Sequence, residues 1–251
     1  MIKEKLKIFW LKFKKLLFPE LTCYICGREL ENPELHICEN CDNRLDEITG
    51  MYCEICGDKL DEPDLYCEVC KHTKHSYNTA RSCYVYDKYS GALVTGFKYN
   101  NKKFLVPFMA KKMFKRLVEF PLTVDTIIPV PLTVKRRRAR GFNQSELLAD
   151  EIARLSPVPM VVDTVSVTRN FDRPPQATLN RAERLKNLKG IFSVVDTSNI
   201  TGKVVLIVDD VYTTGATVEE LSRVILKKKP KTIYVLTFAR TQFHKKTKLN
   251  N

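Results

Sequence analysis

The hydrophobic pattern of the chain changes near residue 77. From there on, short apolar runs alternate with longer segments in which apolar side chains recur every three or four positions. This alternation predicts an α/β fold, with a parallel sheet flanked by helices. The predicted strands are 81–86, 126–130, 161–168, 191–195, 204–208 and 233–238. The predicted helices are 90–97, 104–119, 144–154, 181–188 and 216–228.

The first 18 residues show helical periodicity with lysines on the outer face. We expect this amphipathic helix to pack on the protein, although such helices can also touch a membrane surface. The longest apolar runs, such as Val204–Val208, are too short to cross a bilayer, which needs about 20 apolar residues. Because no secretory signal is evident, we expect a cytoplasmic protein, with the inner face of the membrane as a second location. The predicted domains are the basic helix 1–18, a cysteine-rich module 19–75, an α/β domain 76–240 and a basic tail 241–251.

Eight of the nine cysteines form four Cys-x-x-Cys pairs. Each such turn places two thiolates side by side, and two turns complete a tetrahedral zinc site. Four pairs therefore predict two zinc ions, which are structural because four thiolates leave no position open for water. A disulfide framework is the alternative, and a reducing cytosol disfavours it. We expect consecutive pairs to share a metal, in preference to a cross-braced arrangement. The first set is Cys23, Cys26, Cys38 and Cys41, and the second is Cys53, Cys56, Cys67 and Cys70.

The cysteine-rich segment has few large apolar side chains and cannot build much of a core. Metal binding must therefore supply its folding energy, on the order of 10 kcal/mol per zinc. Three histidines, His36, His72 and His75, lie close to the cysteines. Since no thiol is missing from either set, we expect these histidines at the surface.

The net charge of +13 is unevenly distributed. Residues 19–75 carry fourteen acidic and five basic side chains, a formal charge of −9, so the rest of the chain carries +22. This acidic cysteine-rich module, whose two zinc sites we call the acidic ribbons, would be repelled by a phosphate backbone. We therefore interpret it as a module that docks a protein partner. The basic remainder favours polyanions, such as nucleic acid or phosphorylated metabolites, although a well-solvated basic surface explains the charge as well.

The segment Val204–Thr217 carries the clearest chemical signal. Five apolar residues predict a strand buried on both faces, and Asp209 and Asp210 follow them. The next helix starts with five residues rich in hydroxyl groups, which are Thr213, Thr214, Gly215, Ala216 and Thr217. Unpaired N–H groups at a helix N-terminus bind phosphate, and the two acids suit ribose hydroxyls or a hydrated Mg²⁺. An ordinary helix cap and an ordinary turn are the simpler interpretations.

This segment resembles the motif with which type I phosphoribosyltransferases bind 5-phosphoribosyl 1-pyrophosphate (PRPP). In that motif the threonine-rich loop holds the 5-phosphate and the two acids contact the ribose hydroxyls. Nearly the whole chain resembles the ComF family, a competence-associated group with a double zinc ribbon and a phosphoribosyltransferase domain. The other matching motifs are Leu17-Phe-Pro19, Ile128-Pro-Val-Pro131, Arg140-Gly-Phe-Asn-Gln144, Gln176, Arg184, Asn187 and Phe192.

The resemblance also implies roles for flanking residues. The pyrophosphate loop is expected at Pro129, Val130 and Pro131, and it leads into the basic run Lys135–Arg140. This run could neutralise pyrophosphate or follow a nucleic-acid backbone, and a solvated basic loop is the simpler interpretation. Within the run, Arg140 lies in the family motif. The segment Asn170–Asn180 takes the place of the hood that closes over PRPP. The binding candidates in and after it are Gln176, Arg181 and Arg184. Lys98 also matches a family position, but a surface lysine accounts for it equally well.

The resemblance implies a protein of DNA uptake in natural transformation, with a PRPP site and Mg²⁺ as cofactor. Asp209, Asp210 and Arg140 are the candidate catalytic residues, while the acceptor and turnover itself stay open. Single-stranded DNA is expected to bind the basic surface, where aromatic side chains could stack on bases. These aromatics are Phe97, Tyr99, Phe104 and Phe142. The acidic ribbons would then dock the DNA-uptake machinery. The alternatives are a regulator that senses PRPP without turnover and a metabolic phosphoribosyltransferase that acts on a base.

Overall fold

The computed structural model describes residues 22–30, 32, 36–161, 164–168 and 187–242. The chain divides into two compact units, residues 1–45 and residues 46–251. Several sequence predictions lie outside the described residues. They are the helix at 1–18 with the motif Leu17–Pro19, the hood with Gln176, most of the helix 181–188 with Arg181 and Arg184, and most of the tail. The predicted domain boundaries stay predictions.

The described residues form seven α-helices and six strands. The helices are α1 (Glu39–Asp42), α2 (Glu68–His72), α3 (Lys88–Tyr99), α4 (Val106–Lys115), α5 (Val134–Arg140), α6 (Gln144–Leu155) and α7 (Ala216–Leu226). The strands are β1 (Thr79–Val85), β2 (Thr126–Pro129), β3 (Val165–Val167), β4 (Phe192–Val194), β5 (Val204–Tyr212) and β6 (Thr232–Arg240). Two 3₁₀ turns, Lys103–Leu105 and Arg116–Glu119, flank α4.

Four strands form a parallel sheet in the order β1-β6-β5-β2. Strands β5 and β6 pair from Val204 opposite Thr232 to Tyr212 opposite Arg240. Both strands are buried along almost their whole length, as strands covered by helices on both faces must be. The predicted parallel α/β fold is confirmed.

Each face of the sheet is covered by different elements. Val205 and Ile207 of β5 share a hydrophobic cluster with Leu221 and Ile225 of α7. Because side chains alternate along a strand, the intervening residues of β5 point to the opposite face. Helices α4 and α6 pack against each other there and contact β6, β5 and β2. The sheet is therefore the central layer of the fold, with helices on both faces and connecting loops at the ends of its strands.

Two elements differ from the sequence predictions. Strands β3 and β4 are present, but they form a separate antiparallel pair with Val165 opposite Val194 and do not join the parallel sheet. No helix was predicted for the basic segment after β2, but Val134–Arg140 is helical. The Thr133 hydroxyl caps this helix by accepting from the Arg136 amide, and Gly141 ends it with a φ of 78°. Lysine and arginine are good helix formers, so a capped run of them is stable as a helix.

Within the described ranges, none of the helices combines the length and the apolarity that a membrane span requires.

Candidate functional site

Two carboxylates lie side by side near the carboxyl end of β5. The Ser145 hydroxyl donates to Asp209 Oδ1 at 2.8 Å, and the backbone amide of Asp210 donates to the same oxygen at 2.9 Å. The other carboxylate pairs with a lysine, since Lys98 Nζ lies 2.9 Å from Asp210 Oδ1. Both acids are therefore held in fixed positions by groups from two other elements.

Two helices bring these partners to β5, and each begins at a defined cap. Helix α3, which carries Lys98, begins with a capping box in which Asp87 and Ser90 bond to each other's backbone amides. Helix α6 begins at Asn143, whose side chain accepts from the Ser145 amide at 3.1 Å. Because Ser145 lies in the first turn of α6, the positive end of that helix lies next to Asp209.

The surroundings raise the pKa values of both Asp209 and Lys98, for different reasons. Burial raises the pKa of Asp209, and the neighbouring carboxylate of Asp210 raises it further. Lys98 and the Ser145 hydroxyl act in the opposite direction, and the resulting pKa is about 7. Burial alone would lower the pKa of Lys98, but the carboxylates of Asp210 and Asp209 raise it above its ordinary value. The lysine is thus a firmly charged counter-ion, whereas Asp209 can hold a proton near neutral pH.

The segment Thr213–Thr217, here called the phosphate loop, connects β5 to α7. Helix α7 begins at Gly215, which has a φ of 74° and provides no side-chain cap. Thr214 Oγ1 lies 3.4 Å from the Ala216 amide, too long for a strong bond, so a simple threonine cap does not account for the loop. A helix N-terminus without a side-chain cap leaves backbone amide groups available to bind an anion.

The expected pyrophosphate loop lies beside the two acids. Pro129 is paired with Val208 in the sheet, and the Val130 amide donates to the Val208 carbonyl at 3.0 Å. The Asn143 side chain donates to the Val130 carbonyl at 3.0 Å, which ties the loop to the start of α6. Pro131 follows and is half-buried. The sheet therefore brings this loop next to Asp209.

Arg140 lies at the end of α5, close to the same edge. Its guanidinium donates to Gln144 Oε1 at 3.0 Å and lies 5.5 Å from the centroid of the Tyr99 ring. The Gln144 side chain is 2% exposed, and its Nε2 finds no acceptor among the described residues. Arg140 and Gln144 thus present a positive charge and a spare donor near the acids.

The cluster fits a polar ligand that bears hydroxyl groups or a hydrated cation. Asp210 is 4% exposed, and its Oδ2 is buried without a hydrogen-bond donor in the part of the chain that the structure describes. A buried acceptor without a donor costs free energy, typically about 1–3 kcal/mol, and is rarely retained without a purpose. A ribose hydroxyl or a water bound to Mg²⁺ would satisfy this oxygen.

The cysteines form two clusters, each within one structural unit. In both, the four sulfur atoms lie within 4.8 Å of one another, as a tetrahedral zinc site requires. Consecutive pairs come together, and the cross-braced alternative is not formed. The clusters contain Cys23, Cys26, Cys38 and Cys41, and Cys53, Cys56, Cys67 and Cys70.

The same local structure builds both clusters. Gly27 and Gly57 adopt φ values of 71° and 70°, and each donates its amide to the carbonyl four residues earlier, at 2.8 Å. Cys38 and Cys67 each begin a short helix. Burial acts to raise the pKa of Cys23, but backbone amides, that of Cys38 foremost, lower it to about 7. Four cysteine sulfurs grouped in this way are the donor set of a structural zinc site, so the residues fit the metal.

Comparisons with known proteins agree with this architecture. A double zinc ribbon domain matches residues 13–71, and a phosphoribosyl transferase domain matches residues 142–249. "DNA utilization protein YhgH" of Salmonella typhi is 29% identical over 87% of this chain and 96% of its own. "Competence protein F" of Haemophilus influenzae is 28% identical over 89% of this chain and 98% of its own. "Competence protein ComFC" of Bacillus subtilis is 25% identical over 83% of this chain and 90% of its own.

Over most of its length the chain is similar to proteins of the ComF family. The resemblance inferred from the sequence motifs is thus confirmed, together with a phosphoribosyltransferase domain and a double zinc ribbon.

Three details of this chain differ from what the sequence suggested. Phe97 and Phe142 are buried and pack against each other at 5.7 Å, so neither can stack on a base, whereas Tyr99 is 69% exposed. His75 does not lie at the surface, because its side chain is 2% exposed and bonded to Glu219. Lys98 is not a freely solvated surface lysine but the half-buried partner of Asp210, with 21% of its side chain exposed.

Ser145 is a residue that the sequence analysis did not single out. It is 64 positions away from Asp209 in the chain, and no local pattern joins the two. The available signal was the Asn143-Gln144-Ser145 start of a predicted helix after the family motif, since the first turn of a helix in an α/β domain commonly faces the ligand crevice.

Proposed function

We propose that this ComF-family protein binds PRPP at the carboxyl end of β5, with Mg²⁺ as cofactor. The observation that carries the proposal is the combination of two groups at one strand end. Asp210 has a buried oxygen that finds no donor among the described residues, and five residues later Gly215 precedes helix α7 without a side-chain cap. A sugar with hydroxyl groups and a terminal phosphate matches both groups at once.

The residues take the following roles in this proposal. The phosphate loop binds the 5-phosphate with its backbone amides and threonine hydroxyls. Asp209 and Asp210 accept hydrogen bonds from the ribose hydroxyls, and Ser145 and Lys98 keep the two carboxylates in place. The pyrophosphate group lies at Pro129–Pro131 near Arg140. Bound Mg²⁺ would neutralise part of the pyrophosphate charge. Gln176 and Arg184 stay proposed ligands on the resemblance alone.

The phosphoribosyl transferase domain supports a transfer reaction at this site. An acceptor nucleophile would form a bond to C1 of the ribose while the bond from C1 to the pyrophosphate oxygen breaks, and pyrophosphate would leave with that electron pair. A regulator that senses PRPP would bind it in the same way and release no pyrophosphate. A pyrophosphate-release assay over bases, ammonia and nucleic acids therefore separates an enzyme from a sensor.

Calorimetry tests the binding site directly. We expect PRPP with Mg²⁺ to bind the wild-type protein, and the D209N/D210N variant to lose at least about tenfold in affinity, because two hydrogen-bond acceptors for the ribose are lost. D150N is a matched control, since Asp150 pairs with Arg154 on the surface of α6. Unchanged affinity in the double variant would refute the assignment.

We also propose that single-stranded DNA binds at α5 and Tyr99, as part of a role in DNA uptake. Helix α5 buries none of its residues. Its cations are Lys135, Arg136, Arg137, Arg138 and Arg140. Arg140 lies over the ring of the exposed Tyr99, so a positive charge and a stacking surface occur together, as in sites for single strands. The names of the relatives, competence and DNA utilization proteins, favour this function.

Anisotropy of a labelled oligothymidylate tests DNA binding. We expect the logarithm of the affinity to fall linearly with the logarithm of the salt concentration, because phosphate contacts release counter-ions. Binding that does not depend on salt, or no binding at low salt, contradicts the proposal. The acidic ribbons remain the proposed docking module for a protein of the DNA-uptake machinery.

A further inference from the structure

The second cysteine cluster reaches the end of the sheet through a fully buried arginine. Arg240 is the last residue of β6 and is 0% exposed. Its guanidinium donates to the Cys56 carbonyl, and its second nitrogen lies 3.7 Å from Cys56 Sγ. Its Nε lies 3.2 Å from Asp58 Oδ1, in an ion pair with both side chains 0% exposed. The knuckle formed by the Cys53–Cys56 pair thus fixes the position of this arginine.

The same guanidinium also lies over the ring of Tyr212, at the end of β5. Arg240 Cζ lies 4.7 Å from the centroid of the Tyr212 ring. The Tyr212 hydroxyl bonds to the Tyr77 hydroxyl at 2.8 Å, which holds the ring from its other end. Arg240 and Tyr77 together therefore define where the Tyr212 ring lies.

The Tyr212 ring in turn supports the phosphate loop. A Cβ atom added to Gly215 would lie 2.2 Å from the Tyr212 hydroxyl oxygen and 2.4 Å from Cζ of the ring. The ring thus occupies the space next to the one residue of the loop whose backbone must be left-handed. Any displacement of Tyr212 changes the support under Gly215.

A second connection runs from the same cluster to the helix that follows the loop. His75 Nε2 lies 3.4 Å from Cys70 Sγ, and His75 Nδ1 lies 2.9 Å from Glu219 Oε2. The Ser76 amide donates to Glu219 Oε1 at 2.9 Å. Glu219 lies in the first turn of α7, so this connection fixes the helix directly behind the loop.

We infer that the second zinc site positions the phosphate loop through two connections. Arg240 connects the site to Gly215 through the Tyr212 ring, and His75 connects it to Glu219. This inference rests on the proposed PRPP site for its functional meaning. The ribbon has little apolar core of its own, so the metal holds the knuckles together. If the metal is lost, the buried Arg240 loses the sulfur and carbonyl that fix it, and the loop loses its support. A loop that is not held in its binding conformation must be ordered on binding, which weakens affinity.

Hydrogen–deuterium exchange of the ligand-free protein tests the inference. In C67S, which lacks a ligand of the second zinc, we expect exchange in residues 212–219 to accelerate by about tenfold or more, with wild-type exchange in α4. C38S is the matched control, because Cys38 has the same place in the first cluster. It should lose one zinc and keep wild-type exchange in the loop. Wild-type exchange in a C67S protein that has lost its second zinc, or equal acceleration throughout residues 46–251, overturns the inference.

A second variant tests the connection with the metal in place. R240K keeps a buried cation beside Asp58 but loses the planar contact with Tyr212 and the forked donation to Cys56. We expect two zinc ions per chain, faster exchange in residues 212–219 and a PRPP affinity reduced by about tenfold. Wild-type exchange in the loop of R240K contradicts the inference. If the wild-type protein does not bind PRPP, the proposed function fails, whereas the exchange measurements still decide whether the zinc site positions the loop.

Discussion

Lys98 Nζ lies 2.9 Å from Asp210 Oδ1, in an ion pair whose side chains are 21% and 6% exposed. The pair joins the last turn of α3 to the middle strand β5 at the edge where the phosphate loop begins. The lysine neutralises a carboxylate whose other oxygen has no donor among the described residues. This contact balances the charge of one of the two adjacent acids, whereas Asp209 is held by Ser145 and can carry a proton.

The K98M variant should be less stable than wild type by about 2 kcal/mol, because removal of one partner leaves a buried charge without its counter-ion. Urea unfolding of the ligand-free protein measures this. K111M is the control, since Lys111 is an exposed lysine on α4. A K98M variant as stable as K111M would show that the pair does not balance the charge of Asp210.

The titration of Asp209 predicts a pH-dependent difference between wild type and D209N. The pKa of Asp209 is raised by burial and by Asp210 to about 7, above its ordinary value near 3.8. The folded state therefore holds a proton that the unfolded state releases, so this contribution to stability is complete below about pH 4 and lost as the pH rises through 7. D209N keeps a neutral side chain at every pH.

As the pH rises from 5.5 to 8, we expect the free energy of unfolding of D209N to increase by about 2 kcal/mol relative to that of wild type. Urea unfolding of both proteins at the two pH values measures the difference, and any pH-dependent loss of zinc cancels because both proteins have the same cysteines. A difference that is constant with pH would mean that Asp209 is ionised throughout.

The G215A variant tests the shape of the phosphate loop. Gly215 has a φ of 74°, and a Cβ there would lie 2.2 Å from the Tyr212 hydroxyl. Gly202 is a matched control, because its φ is 71° and a Cβ there would have no atom of the described residues within 4 Å. Both substitutions should cost about 1 kcal/mol for the left-handed backbone, and only G215A should also reduce PRPP affinity, by at least about tenfold. Calorimetry and urea unfolding measure the two effects, and equal PRPP affinity in both variants would contradict the proposed loop.

Several parts of the fold and the site could be predicted from the sequence because their signals are local. The cysteine pairs are three residues apart, and the two acids precede the phosphate loop by three residues. The periodicity of the chain located β5 and α7 in the same way. A local pattern reports on backbone and burial within one or two turns, which is enough for a motif and for the class of fold.

The contacts that organise the site join residues far apart in the chain, which local patterns do not report. Ser145 and Asp209 are 64 positions apart, and Arg240 and Cys56 are 184 positions apart. The pairing of β3 with β4 was missed for the same reason, since an alternating strand has several compatible partners. His75 looked like a surface residue because its partner Glu219 lies 144 positions away.

The final prediction concerns two neighbouring arginines of α5. Arg137 donates to both oxygens of Glu146, at 3.1 and 2.9 Å, whereas Arg138 forms no ion pair within the described ranges. A cation that is already paired must give up its partner before it can neutralise a DNA phosphate, so Arg138 should contribute more to DNA binding than Arg137. We expect R138Q to lower the affinity for oligothymidylate and the magnitude of the salt slope by about one unit, and R137Q to change both less. Anisotropy titrations of the two variants at several salt concentrations measure this. A larger effect for R137Q would show that DNA displaces Glu146 and contacts the opposite side of the helix.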